Sequence, residues 1–151
     1  MKKTIFAIFV LSLVFINACN KVSEDTDTPN AKKLLAYNKE KFDKLPLTGN
    51  LVNGVREIEV KGFQFNWEPA NIVVKKGEKL KIIVESMDVP HGFELEGLVI
   101  PNYDINKLIL PGKKEVIEFT PQDAGTWDMV CTGYCGQGHA TMKGLFIVRE
   151  K

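Results

Sequence analysis

The chain has 151 residues, 44% of them hydrophobic, and a formal net charge of +1. That length supports one domain with a core of its own, so a single domain has to carry the function. Twenty basic residues stand against 19 acidic ones, and no cluster of Lys and Arg interleaves with aromatics, which sets nucleic acid aside as a partner.

Lys2 and Lys3 precede an apolar run from Ile5 to Ile16, broken only by Ser12, and Ala18 and Cys19 follow. A membrane-spanning helix needs roughly 20 apolar residues. The basic start, short apolar middle and small residue at the end therefore predict an export signal over residues 1–18. The stretch "INAC", Ile16 to Cys19, resembles a bacterial lipoprotein box, which implies that Cys19 is acylated and becomes the first residue of the mature chain. Cysteine counting agrees. Three cysteines leave one over if the other two act as a pair, and an unpaired exported thiol is reactive. An ordinary signal with a chance cysteine is the alternative. Removing residues 1–18 leaves 18 basic and 19 acidic side chains, or −1.

From Asn20 to about Asn30, "NKVSEDTDTPN" has little apolar content and reads as a tether. "AKKLLAYNKEKFDKL" then carries Leu34, Leu35, Phe42 and Leu45 among charged residues, a weak amphipathic pattern for a short helix ended by Pro46. Residues 19–54 are assigned to this lipidated tether, and residues 55–151 to a folded domain. From Arg56 the period changes to two. "REIEVKGFQFNW" alternates Ile58 and Val60, then Phe63, Phe65 and Trp67; "EKLKIIVES" aligns Leu80, Ile82 and Val84; "GTWDMVC" offers Trp127 and Met129; "GLFIVRE" closes the chain with β-formers. Breaks such as "EPAN", "KKGE", "MDVPHG", "LPGKK" and "PQDAG" separate these runs. Seven or eight short strands so spaced predict an all-β Greek-key sandwich or barrel.

"CTGYCGQGHATM", Cys131 to Met142, places two cysteines, a histidine and a methionine at intervals of four, four and three. That spacing suits one face of a helix. Gly133, Gly136 and Gly138 argue against a helix, since each costs about 1 kcal/mol relative to alanine. A loop folded around something is the better reading, with Tyr134 as a packing residue of that loop. The other histidine, His91, lies in "DVPHGFELEG" at a strand start, where a pocket at one end of a sandwich can bring it to His139.

Thiol, imidazole and thioether together select a soft transition metal, and copper is the one that most uses a weak methionine ligand. Structural zinc wants paired Cys and His at closed spacing and leaves Met142 without a role. Neither cysteine sits in the "CxxCH" arrangement of c-type haem. A Cys131–Cys135 disulfide, permitted by export, uses the thiols but neither histidine.

The segment from about Arg56 to Lys151 resembles the copper-binding domain of cytochrome c oxidase subunit II, a cupredoxin, in the short form of ba-type haem-copper oxidases. "FQFNWEPANIVVKKGEKLKIIVESMDVPHGF", "LPGKKEVIEFTPQDAGTWDMVC" and "CTGYCGQGHATMKGLFIVRE" carry the likeness. The resemblance implies a binuclear copper (CuA) centre bridged by the thiolates of Cys131 and Cys135. His91 and Met142 would complete one copper, and His139 with the backbone carbonyl of Gly133 the other. It also implies an electron-entry subunit, not catalytic alone, that accepts electrons from cytochrome c or a similar donor and passes them to the haem-bearing large subunit. Two departures stand out. Many family members carry glutamate at the position of Gly133 and reach a magnesium ion through it, and they have membrane helices where this chain has its lipoprotein box. The expected location is a bacterial cell-envelope membrane, copper domain on the extracytoplasmic side. The rivals are a mononuclear blue-copper carrier, for which Cys131 would be incidental, and a copper-delivery protein with exchangeable ligands. A nitrous-oxide-reducing enzyme fails on length.

Overall fold

Along Lys79–Ser86 every second residue is buried, and Leu80, Ile82 and Val84 are at most 2% exposed. Such strict alternation arises where a strand lies between a dry face and a wet one. The computed structural model describes residues 40–101 and 104–150. Among them ten strands occur: β1 (Asn50–Val52), β2 (Val55–Phe63), β3 (Asn66–Glu68), β4 (Asn71–Lys75), β5 (Lys79–Ser86), β6 (His91–Glu96), β7 (Lys107–Ile109), β8 (Lys114–Phe119), β9 (Gly125–Cys131) and β10 (Lys143–Arg149).

They form two sheets. One runs β1-β2-β5-β8 with β3 paired to β2; the other runs β4-β10-β9-β6-β7. The expected all-β sandwich is what the chain builds. The chain switches sheets between β3 and β4, β4 and β5, β5 and β6, β7 and β8, and β8 and β9, and two pairings, β2–β5 and β4–β10, are parallel. Ile58, Val60, Ile82, Ile117, Phe93, Met129 and Phe146 fill the space between the sheets. Burying each large apolar side chain contributes about 1.5–3 kcal/mol.

The run expected from Arg56 through Trp67 is two strands. β2 ends at Phe63, the chain turns at Gln64 and Phe65, and β3 returns so that Trp67 pairs with Gly62. Phe63 and Phe65 are accordingly only half-buried, while Trp67 is fully buried. The short helix expected before Pro46 is helical at residues 40–43, and Phe42 and Leu45 are half-buried. The export signal, Cys19 and the tether up to residue 39 lie outside the described residues, and the end of the stretch assigned to the tether is strand β1, Asn50–Val52.

One inward position on β2 is charged. Arg56, 6% exposed, shares a face with Ile58 and Val60. Its guanidinium grips Glu78 through Nε (2.8 Å) and Nη2 (3.0 Å), and donates to the carbonyls of Thr48 and Gly49 at 3.3 and 3.2 Å. A fork satisfied on both sides is the form in which a charge can be buried. The bond from Arg56 outweighs burial and holds the Glu78 carboxyl below the usual carboxylate range. A depressed folded pKa means stability that is present above the unfolded value, about 4.3, and lost as pH falls through the folded one. Melting temperature should therefore drop from about pH 4.3 downwards, and Glu78→Gln should flatten part of that slope. An unchanged slope in the variant would remove Glu78 from the account.

Candidate metal centre

The centre is assembled at one end of the sandwich by strand register. β6 and β9 pair antiparallel with Phe93 opposite Cys131, so His91, two residues before Phe93 at the start of β6, lies beside the end of β9. From Cys131 the chain loops out and returns as β10, which pairs Lys143 with Val130. A single 3₁₀ turn, His139–Thr141, folds the loop back so that Met142 points inward, 1% exposed. The loop can lie against β6 because residue 92 is glycine. A Cβ there would meet Thr132 Oγ1 at 2.1 Å and the Gly133 amide nitrogen at 2.4 Å.

All six positions read from the sequence come together. Cys131 Sγ lies 3.7 Å from His91 Nδ1 and 3.1 Å from the Gly133 carbonyl oxygen. Cys135 Sγ lies 3.6 Å from His139 Nδ1 and 3.9 Å from Met142 Sδ. The two sulfurs are 3.8 Å apart. A disulfide is about 2.05 Å long, so these are free thiols; a metal–thiolate bond of about 2.3 Å lets both sulfurs reach one ion. His91 is fully buried, Cys131 and Cys135 are buried, and His139 is half-buried. Two thiols, two imidazole nitrogens and a thioether facing one another in a dry pocket fit a soft metal and little else.

Burial pushes the Cys135 thiol up to about 11, and the neighbouring Cys131 adds to the shift. Without a metal this thiol is protonated at neutral pH and a weak nucleophile; a bound cation has to displace the proton.

The sequence reading passed over Asp88. Its Oδ1 lies 2.8 Å from His91 Nε2 and accepts the Val89 amide at 2.7 Å, while Oδ2 accepts the Gln64 amide at 2.7 Å. Burial pushes the Asp88 carboxyl up, but the Gln64 amide, the His91 ring and the Val89 amide prevail and hold it below the usual range. A carboxylate on Nε2 fixes the imidazole so that Nδ1 faces the thiols, the usual outer support of a metal-binding histidine. The signal for it was present, a carboxylate three residues before a candidate ligand. On the loop's other side Thr132 Oγ1 donates to Asn106 Oδ1 (2.9 Å), whose Nδ2 donates to Glu94 Oε2 (3.1 Å). Trp67 closes the inner wall, its ring 5.8 Å from that of His91 and 5.3 Å from that of Phe93.

Tyr134 departs from expectation. It does not pack inside the loop but is 76% exposed, its ring 5.8 Å from that of His139. Its neighbours Gly133 and Cys135 both face Cys131, which leaves the residue between them pointing outward.

The cupredoxin-like domain family matches residues 8–148. Cytochrome c oxidase subunit 2 of Thermus thermophilus is 34% identical over 93 residues, 62% of this chain and 65% of that protein. A second protein of that name from Thermus thermophilus is also 34% identical over 93 residues, and the match covers 52% of it. The chain thus spans between about half and two-thirds of the curated relatives it matches. Among solved structures, a haem-copper terminal oxidase dimer contains a chain that superposes with a TM-score of 0.56 at 23% identity, over 80% of this chain and 90% of its own. At that identity the superposition speaks for the fold alone.

Proposed function

The chain belongs to the cupredoxin-like family, and from that premise we propose that it is an electron carrier whose end loop holds a binuclear copper centre. One observation carries this reading: each of the two buried thiols has its own imidazole nitrogen, Cys131 with His91 at 3.7 Å and Cys135 with His139 at 3.6 Å. A mononuclear blue-copper site uses one thiolate and would leave Cys131 and its contacts without a purpose. In the binuclear reading Cys131 and Cys135 would supply the shared thiolates, His91 and Met142 would serve one ion, and His139 and the Gly133 carbonyl would serve the other.

Copper held there supplies reversible one-electron transfer. The protein supplies rigidity and dryness. Cys131 is fixed at a strand end, His91 by Asp88, and Met142 by the 3₁₀ turn, so the donors have little room to move between redox states. Two coppers so held would each be filled by two sulfurs, an imidazole and a weak thioether or carbonyl donor, which would leave no position open for substrate. Likeness to the Thermus subunits supports cytochrome c or a similar protein as donor and a haem-copper oxidase large subunit as acceptor. Oxygen chemistry would then reside in the acceptor.

Paramagnetic resonance on the oxidised, copper-loaded protein tests the reading. One unpaired electron coupled equally to two copper nuclei, at two coppers per chain, is expected. Coupling to a single nucleus at full loading would favour the blue-copper carrier.

The export signal and the "INAC" box support attachment through a lipid on Cys19, on the extracytoplasmic side of a bacterial envelope membrane. Among the described residues no helix is long and apolar enough to cross a membrane. Cys19→Ala should move the protein from the membrane fraction to the soluble one; unchanged partitioning would exclude the anchor.

A further inference from the structure

We propose that Gln64 latches the turn between β2 and β3 onto the metal loop, and that this turn is the door through which copper and other reagents reach the two thiols. β10, β9 and β6 lie side by side in one sheet, and the thiol pair sits at their end, with His91 on β6, Cys131 on β9 and Met142 just before β10. Parting these strands breaks ladder hydrogen bonds. The turn at Gln64 and Phe65 comes from the other sheet and is held to the loop by side chains.

The contact is close. The Gln64 carboxamide Nε2 donates to the backbone carbonyl of Cys135. Phe65 lies against the glycines that follow: a Cβ on Gly138 would fall 2.3 Å from Phe65 Cδ2, and one on Gly136 would fall 2.8 Å from Gln64 Nε2. Bonds from His139 N to Gly136 O (3.0 Å), Thr141 N to Gly138 O (2.9 Å) and Met142 N to His139 O (3.1 Å) make the far half of the loop a unit closed on itself. Gln64 brings a side-chain N–H to the loop from another turn. Its own backbone amide donates to Asp88 Oδ2 at 2.7 Å, and Asp88 Oδ1 holds His91. Gln64 thus joins the cysteine half of the site to the histidine half. It is a positioning residue: it touches no metal-facing atom, and it sets how often the loop lifts. Local opening at a surface turn is the cheapest motion available to such a site. One side-chain hydrogen bond in that step is worth about a two- to tenfold change in the open population.

This extends the copper reading but is measurable without it. In the reduced, copper-free full-length protein, the rate of thiol alkylation by iodoacetamide reports opening. Gln64→Met keeps length and removes the donor; Gln64→Lys keeps a donor of similar reach. Gln64→Met should alkylate roughly two- to tenfold faster than wild type at an unchanged melting temperature, with Gln64→Lys close to wild type. The loaded Gln64→Met protein should lose copper to a Cu(I) chelator faster by a similar factor. Equal alkylation rates for Gln64→Met and wild type, or Gln64→Lys as fast as Gln64→Met, would overturn the latch. Faster alkylation of Gln64→Met alongside a wild type that takes up no copper would uphold the latch and sink the copper reading.

Discussion

Cys131→Ser should lower copper content from two ions to at most one per chain and slow electron exchange with a soluble cytochrome by more than about 100-fold. Outer supports of metal ligands already cost roughly 10- to 100-fold when removed, and in the proposed centre Cys131 would be an inner donor, in contact with His91, the Gly133 carbonyl and Cys135. Serine keeps the volume but replaces a soft thiolate by a hard hydroxyl that stays protonated at neutral pH. The remaining copper would have His91, Cys135, His139 and Met142 to draw on, a mononuclear set. Copper analysis and stopped-flow mixing with the cytochrome read both effects. Two coppers per chain and an unchanged rate in the variant would remove Cys131 from the centre.

Trp67→Ala should destabilise the fold by about 3–5 kcal/mol, which for a domain of this size lowers the melting temperature on the order of 10–25 °C. The indole is fully buried and packs against both His91 and Phe93, so truncation opens a cavity beside the metal site. Trp67→Phe should cost far less, within about 2 kcal/mol. Among the described residues the buried indole Nε1 has no hydrogen-bond partner, and removing an unsatisfied donor recovers part of what the smaller ring loses. Copper stoichiometry should survive in the Phe variant. If Phe cost as much as Ala in thermal melts, the wall would depend on indole shape, and the unpaired N–H would be irrelevant.

Legibility in the sequence followed the length of each signal. β5 was readable because Leu80, Ile82 and Val84 repeat over eight residues, whereas β1, β3 and β7 have three residues each, too few for a period to show. The hairpin at Gln64 hid inside an unbroken alternation of Phe63, Phe65 and Trp67, because a two-residue turn can preserve parity. Nothing in the sequence marks Arg56 for burial, and only the fold shows Glu78 reaching it across 22 positions. The centre was legible where its donors are local, in Cys131, Cys135, His139 and Met142. His91 was inferred from strand-end placement, and the register of β6 on β9 supplies what that inference lacked. Gln64 left no trace, since nothing about a glutamine near a turn announces a carbonyl 71 residues away.

The parallel pairing of β4 with β10, Asn71 against Leu145 through Lys75 against Arg149, has a kinetic corollary. Closing so long a segment before any contact repays it makes folding slow, in the range of milliseconds to seconds for such topologies. Throughout that interval Cys131 and Cys135 are four residues apart on an open chain, with none of the burial that later keeps Cys135 protonated. In an oxidising compartment, such as the export proposed above would reach, the newly delivered polypeptide would therefore race its own maturation. Either the sandwich closes over two reduced sulfurs ready for metallation, or they pair with each other first and must be reduced before metal can enter.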